Sequence, residues 1–324
     1  MAMSTRQLNA TGKAVRVFAP ATIANLGSGF DVLGIAIDRP GDVVIARRTP
    51  GRGLDFSVRT TQPDVPTDAR QNVAAHVARL MLDELRPRFG IHMTLHKQMP
   101  VASGLGSSAA SSVASVVAVN ALLNTPLPRR DLLRFAVEGE RKASGSPHAD
   151  NVAPSLLGGV CLIRSYHPLD VVSIHARNTI VWVVVHPHLI VRTHDARRIM
   201  PRYLPLEVAV RQWGNVGGLT AGLASGDAEL VGRCTEDVVA ELARANLVPG
   251  FHEVKQAALR AGAYGCTLSG SGPSMFAVAS SRRSATAIAA AMTRAFARYA
   301  RVPSDVYISR VNTHGARVQS LVQQ

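Results

Sequence analysis

Residues Pro100 to Ser112 read PVASGLGSSAAS, and from Ser107 to Leu123 the chain is small and apolar throughout. Such a run belongs inside a protein, so it predicts a buried helix opened by a glycine loop. Gly104 and Gly106 permit a close backbone approach. The first free N–H groups of the helix, carrying a partial charge of about +0.5, point back at the loop. That geometry suits an anion. Ser107 and Ser108 add hydroxyls at the helix mouth, able to bond a phosphate or ligate Mg²⁺. Ser108, Ser111, Ser112 and Ser115 share one helical face. The same small residues would also serve plain helix packing, and the segment alone leaves both readings open.

Better-known loops are excluded. No GxxxxGK[ST] occurs, and no GxSxG. Gly104, Gly106 and Ala109 match GxGxxA, but Pro100 interrupts the approach. No acidic residue follows about 20 positions on, where Leu122–Leu127 stands.

A chain of 324 residues suits two domains better than one core. Its three cysteines are far apart with no CxxC pair, which fits a reducing cytoplasm. MAMSTRQLNATGK, at the start, does not read as a secretory signal. The densest apolar stretches, Val113–Leu123 and Ile180–Val185, fall short of the roughly 18–20 residues that cross a bilayer. No membrane role is expected. Thirty-six basic against 22 acidic residues give +14, a charge that attracts polyanions. Arginines are scattered, however, and aromatics make up only 5%, which leaves few platforms for stacked bases. Specific nucleic-acid binding is therefore not expected; attraction for anionic substrates is the milder reading.

Alternation predicts strands at Val15–Phe18, Ile91–His96, Val160–Arg164, Ile180–His186, Cys266–Ser269, Ser274–Ala279 and Val306–Arg310. Helical spacing predicts Asn72–Leu85, Asp131–Ala143, a short helix near Asp195–Met200, Asp227–Ala243, Phe251–Ala261 and Ala285–Tyr299. Residues 49–68 read as a surface excursion. Strands and helices mixed without a strict βαβ rhythm predict an α+β fold in two lobes, 1–170 and 171–324.

In Asp131–Ala143, Glu140 falls on the apolar face with Leu133 and Ala136. An inward carboxylate is expensive without a cation, and either Mg²⁺ or a core arginine would satisfy it. SPHADN, Ser146–Asn151, reads as a polar loop presenting His148, Asp150 and Asn151; it is either functional or a plain turn. LSGSGPS, Leu268–Ser274, is a glycine-rich corner between strands.

Taken in order, APATIANLGSGFDVLG (Ala19–Gly34), PVASGLGSSAAS and LSGSGPSMFA resemble the three motifs of the GHMP kinases. Within that superfamily, ANLGSGFDVLG, Gly139–Gly159 and LVPGF (Leu247–Phe251) are similar to its branch acting on L-homoserine. The resemblance implies an N-terminal lobe like ribosomal protein S5 domain 2 and a ferredoxin-like C-terminal lobe. It implies a cytoplasmic enzyme of threonine biosynthesis that phosphorylates an amino-acid hydroxyl from ATP with Mg²⁺, and possible homodimers. Carried over by motif, the loop Pro100, Val101, Ala102, Ser103, Gly104, Leu105, Gly106, Ser107, Ser108, Ala109 and Ala110 holds ATP. Ser108 and Glu140 hold Mg²⁺. Asn25 lies near the reacting hydroxyl and Asp31 near the ammonium. His148, Asp150, Asn151 and Thr193 complete the pocket, while Arg197 and Arg244 bind the carboxylate. Leu242 stands where the family pattern often has Pro, which makes Arg244 the least anchored of these. The competing readings are a GHMP kinase for shikimate or an isoprenoid alcohol, and a non-catalytic RNA-binding protein.

Overall fold

The computed structural model describes residues 13–323. The first sheet has seven strands: β1 (Lys13–Ala24), β2 (Leu33–Thr49), β3 (Leu54–Thr60), β4 (Gly90–Lys97), β5 (Val160–Tyr166), β6 (Leu169–Ile174) and β11 (Arg317–Gln323). Its order is β11-β1-β2-β4-β3, with β5 joining β2 and β6 joining β5; only β3–β4 is parallel. Against it lie α1 (Val73–Leu85), α2 (Ser107–Leu122), α3 (Leu133–Ser144) and α4 (Ala149–Leu157). Helix α2 is buried nearly all round, as its composition demands, and packs on β1 and β2.

The second sheet is antiparallel, in the order β10-β7-β9-β8, built from β7 (Val181–Pro187), β8 (Gly265–Leu268), β9 (Met275–Ala279) and β10 (Ser304–Ser309). That order is the ferredoxin-like arrangement. Helices α5 (Thr193–Arg198), α6 (Leu206–Ser225), α7 (Ala228–Cys234), α8 (Ala240–Arg244), α9 (Phe251–Arg260) and α10 (Arg282–Ala295) complete this half. Strand β7 is buried along its whole length because both its faces are covered. Val181, Val183 and Val185 enter a core with α9 and α10. Trp182, Val184, Phe276 and Val278 on the other face join a larger cluster that includes Leu219 and Leu223 of α6 and Val231 of α7 as well as the first-lobe core, with Trp182 and Phe276 centroids 5.7 Å apart.

Three expectations change, and some elements were not expected. Residues 54–60 of the expected excursion form β3, paired in register with β4. Ser146–Asn151 is not all loop: His148 caps α4, and Asp150 and Asn151 lie in its first turn. The expected helix Asp227–Ala243 breaks in two because the Asp237 carboxylate accepts the N–H groups of Val239, Ala240 and Glu241 and starts α8. Helix α6 had no sequence expectation at all. The chain also crosses back at its end: β11 pairs with β1, although its residues fall in the expected C-terminal segment.

Candidate active site

The glycine loop before α2 is clamped by protein on its outer side. A Cβ on Gly104 would sit 2.4 Å from the Ser269 carbonyl oxygen, and one on Gly106 would sit 2.1 Å from Thr22 Oγ1. Both glycines have positive φ, +77° and +67°. They are needed as much for their neighbours as for any ligand. Ser274 Oγ donates to the Ser103 carbonyl (2.6 Å), Ser269 Oγ to that of Gly104 (2.7 Å) and the Thr22 N–H to that of Leu105 (3.0 Å). The corner Leu268–Ser274 thus grips the loop by its carbonyls, while the first N–H groups of α2 stay free for an anion.

Beneath the helix mouth lies a buried ion pair that sequence reading missed. Lys97 Nζ meets Asp42 Oδ2 at 2.5 Å, the Ser107 carbonyl at 2.7 Å and Ser111 Oγ at 2.9 Å. Asp42 also accepts from Ser111 Oγ and from the N–H groups of Gln98 and Met99. Every donor of the ammonium is used, so the pair fixes the start of α2 against β2 and β4.

Glu140 on α3 is buried, and its Oε1 has no partner. Burial pushes its pKa up; a hydrogen bond from Ser108 and the Lys97 charge pull the other way. An unpaired buried carboxylate oxygen beside a hydroxyl is an oxygen donor set that fits Mg²⁺. Helix α3 comes this close because Gly139 has no side chain: a Cβ there would sit 2.0 Å from Ser112 Oγ.

At the other end of the cavity, Asn25 and Asp31 both have positive φ, 68° and 60°. Asn25 Oδ1 accepts the Asp31 N–H at 3.1 Å, and its Nδ2 reaches the Gly270 carbonyl at 3.3 Å. Arg197 from α5 donates to both oxygens of Asp31. Arg244 from α8 is buried, donating to the carbonyls of Ala196 and Gly270. Tyr166 OH donates to the Asp31 carbonyl and accepts the Ala149 N–H, tying this turn to α4. Burial lowers the His148 pKa to about 4 and raises that of Asp150 to about 8, with the Asp31 charge also raising the latter. Asn151 Oδ1 accepts from Thr22 Oγ1 at 2.6 Å, and Thr193 Oγ1 lies 3.4 Å from Ser271 Oγ.

The loop, the helix mouth, Lys97, Glu140 and the cluster around Asn25, Asp31, Arg197 and Arg244 line one cavity of about 530 Å³. Among the described residues, nine buried side-chain nitrogen or oxygen atoms lack a partner, and five of them belong to residues on this one wall: Ser103, Glu140, His148, Asp150 and Arg197. Unsatisfied polar atoms are costly, so their concentration here marks a ligand site.

Residues 72–159 match the GHMP kinases N terminal domain and residues 219–298 the GHMP kinases C terminal domain. Homoserine kinase of Chlorobaculum tepidum is 46% identical over 320 residues, covering 95% of this chain and 99% of its own. That of Pyrococcus furiosus is 40% identical over 297 residues, covering 92% and 98%. The chain belongs to the homoserine kinase family. The crystal structure of homoserine kinase from Cytophaga hutchinsonii superposes with a TM-score of 0.90 at 47% identity, covering 98% of this chain and 99% of that one. Mevalonate kinase of L. major, at 19% identity and a TM-score of 0.70, shares the fold.

In this homoserine kinase family member the cavity gathers Asn25, Asp31, Ser108, Glu140, His148, Asp150, Asn151, Thr193, Arg197 and Arg244 from six separate stretches of chain. Val101, Ala102, Ser103, Gly104, Gly106 and Ser107 form its wall too. Leu105, Ala109 and Ala110 face the hydrophobic core instead, and Pro100 lies outside the wall. The cavity also runs along Val65, Pro66, Asn72, Val73 and Leu95, a section the sequence reading did not assign. Its only sequence signal is Pro66 and the cap residue Asn72 ahead of α1.

Proposed function

We propose that the chain transfers the γ-phosphoryl group of ATP to the hydroxyl of L-homoserine, giving O-phospho-L-homoserine and ADP on the route to threonine. The observation that carries this reading is the concentration of unpaired buried polar atoms along one cavity, between an anion-binding helix mouth and a paired Asp31 and Arg197.

The triphosphate lies along Ser103–Ser108, with the base toward the apolar end at Val65, Pro66, Val73 and Leu95. Ser108 and Glu140 would hold Mg²⁺, which when bound would neutralise charge on the phosphate oxygens. L-Homoserine is a zwitterion, and it exchanges with an internal pair of the same kind. Its ammonium takes Asp31, and its carboxylate takes the Arg197 fork and Arg244. His148 is neutral at working pH and neither repels the ammonium nor neutralises Asp31. Asn25 orients the hydroxyl. Phosphoryl transfer depends chiefly on alignment and charge stabilisation. The hydroxyl therefore attacks directly, with no strong general base assigned, and the loop N–H groups stabilise the developing charge.

The test is ADP release from the purified chain with L-homoserine, shikimate, mevalonate and no acceptor. L-Homoserine is expected to be preferred by orders of magnitude; equal turnover of shikimate would overturn the substrate assignment.

A further inference from the structure

Phe30, next to Asp31 on the same turn, has no part in the chemistry above. The guanidinium carbons of both Arg197 and Arg244 lie over its ring, 5.4 and 5.0 Å from the centroid. Both distances are within the ~6 Å at which the negative face of an aromatic ring attracts a cation. The arginines come from α5 and α8, and Phe30 from the turn between β1 and β2, so three elements converge on one ring.

That convergence needs a cause, because two guanidiniums this close repel, and Arg244 is buried. Arg197 is one of the charges that lower the Arg244 pKa, second only to burial. Arg197 has the Asp31 carboxylate as direct compensation. Among the described residues, Arg244 has only the carbonyls of Ala196 and Gly270 as hydrogen-bond partners, and the ring. We propose that Phe30 is a positioning residue for acceptor specificity, its ring holding Arg197 and Arg244 together as a two-pronged seat for the acceptor's carboxylate. The inference rests on the carboxylate-binding reading of the two arginines. It also gives the exchange at Asp31 a physical course: as the arriving ammonium claims Asp31, Arg197 is left without its carboxylate, and the ring face still attracts it in place.

The experiment compares wild type, Phe30→Leu and Phe30→Tyr with two compounds. One is L-homoserine. The other is 3-aminopropan-1-ol, which keeps the hydroxyl and the ammonium but lacks the carboxylate; it is followed as a substrate and as a competitor of L-homoserine. Phe30→Leu keeps an apolar side chain without the ring and is expected to lose about tenfold in kcat/KM for L-homoserine, mostly through KM. The KM for ATP and the constants for 3-aminopropan-1-ol stay at their wild-type values. Phe30→Tyr, which keeps a ring face, stays within about threefold of wild type. If Phe30→Leu preserves the wild-type preference for L-homoserine, the role of Phe30 is overturned and the carboxylate reading survives. If wild type itself binds the two compounds equally, the carboxylate reading falls first. An equal loss for both compounds, with a lowered melting temperature, would reduce Phe30 to a packing residue and overturn the proposal.

Discussion

Arg197 Nη2 donates to both carboxylate oxygens of Asp31, at 2.8 and 3.0 Å, so two residues proposed for opposite charges of the acceptor hold one another in its absence. Asp31→Asn removes the partner of the ammonium and weakens this pair together. The KM for L-homoserine is expected to rise about 10- to 10²-fold, less than for a fully buried charge pair because the two side chains are 25% and 30% exposed, while the KM for ATP is unchanged. Initial rates at varied L-homoserine decide it; an unaltered KM removes Asp31 from acceptor binding.

Ser108 and Glu140 share the metal assignment. Ser108→Ala is expected to lower kcat by about 10²–10³, the usual loss for one transition-state stabiliser, and Glu140→Ala by more. Turnover measured across Mg²⁺ concentrations is the check. Full activity of Glu140→Ala at limiting Mg²⁺ would place the ion elsewhere.

Gly104 is where the phosphate loop presses against two backbone carbonyls, those of Ser269 and Gly272. Gly104→Ala puts a Cβ 2.4 Å from the Ser269 oxygen at a φ of +77°. Neither wall is a flexible side chain, so the loop must shift, at about 1–3 kcal/mol. A melting temperature lower by several degrees with sharply reduced turnover is the expected result; a wild-type melting curve contradicts the clamp.

Asp42→Asn leaves Lys97 buried beside an uncharged partner. The expected loss is about 3–5 kcal/mol in urea unfolding, as for a broken buried pair. A loss under 1 kcal/mol would show that water or another group replaces the carboxylate.

His148 and His186 both have pKa values lowered to about 4 by burial, whereas an unfolded histidine takes up its proton near 6.5. The fold thus selects the neutral form, and the associated stability is complete above about pH 6.5 and lost as pH falls toward 4. Each histidine adds a slope of about 1.4 kcal/mol per pH unit in that window. Unfolding free energies measured from pH 7 to 4 should therefore flatten in His186→Gln by one such share. Parallel curves for variant and wild type would show that His186 does not titrate this way.

What the sequence revealed was local. The loop before α2 and the inward side of Glu140 follow from composition and helical period, and both stand in the structure. Helix α6 carries Gly214, Gly217, Gly218 and Gly222, which weaken any helical pattern in its sequence. Two of them are contact points: a Cβ on Gly218 would sit 2.4 Å from Cys234 Sγ, and one on Gly222 would sit 2.8 Å from Val231. Strand β3 was hidden by the Gly, Pro and Thr residues around it, since its stability comes from the ladder with β4. The Asp42–Lys97 pair, the Asp31–Arg197 pair and the arginines over Phe30 join residues far apart in the chain, and no spacing rule announces such partners.

The corner Leu268–Ser274 has a mechanical consequence. It belongs to the second sheet, yet its Ser269 and Ser274 hydroxyls hold the glycine loop of the first lobe by the loop's carbonyls. Prising the lobes apart would break both bonds, about 0.5–1.5 kcal/mol each, and would split an apolar cluster to which both lobes contribute. A wide jaw-like opening is therefore opposed, and side chains trading partners are the cheaper route for traffic.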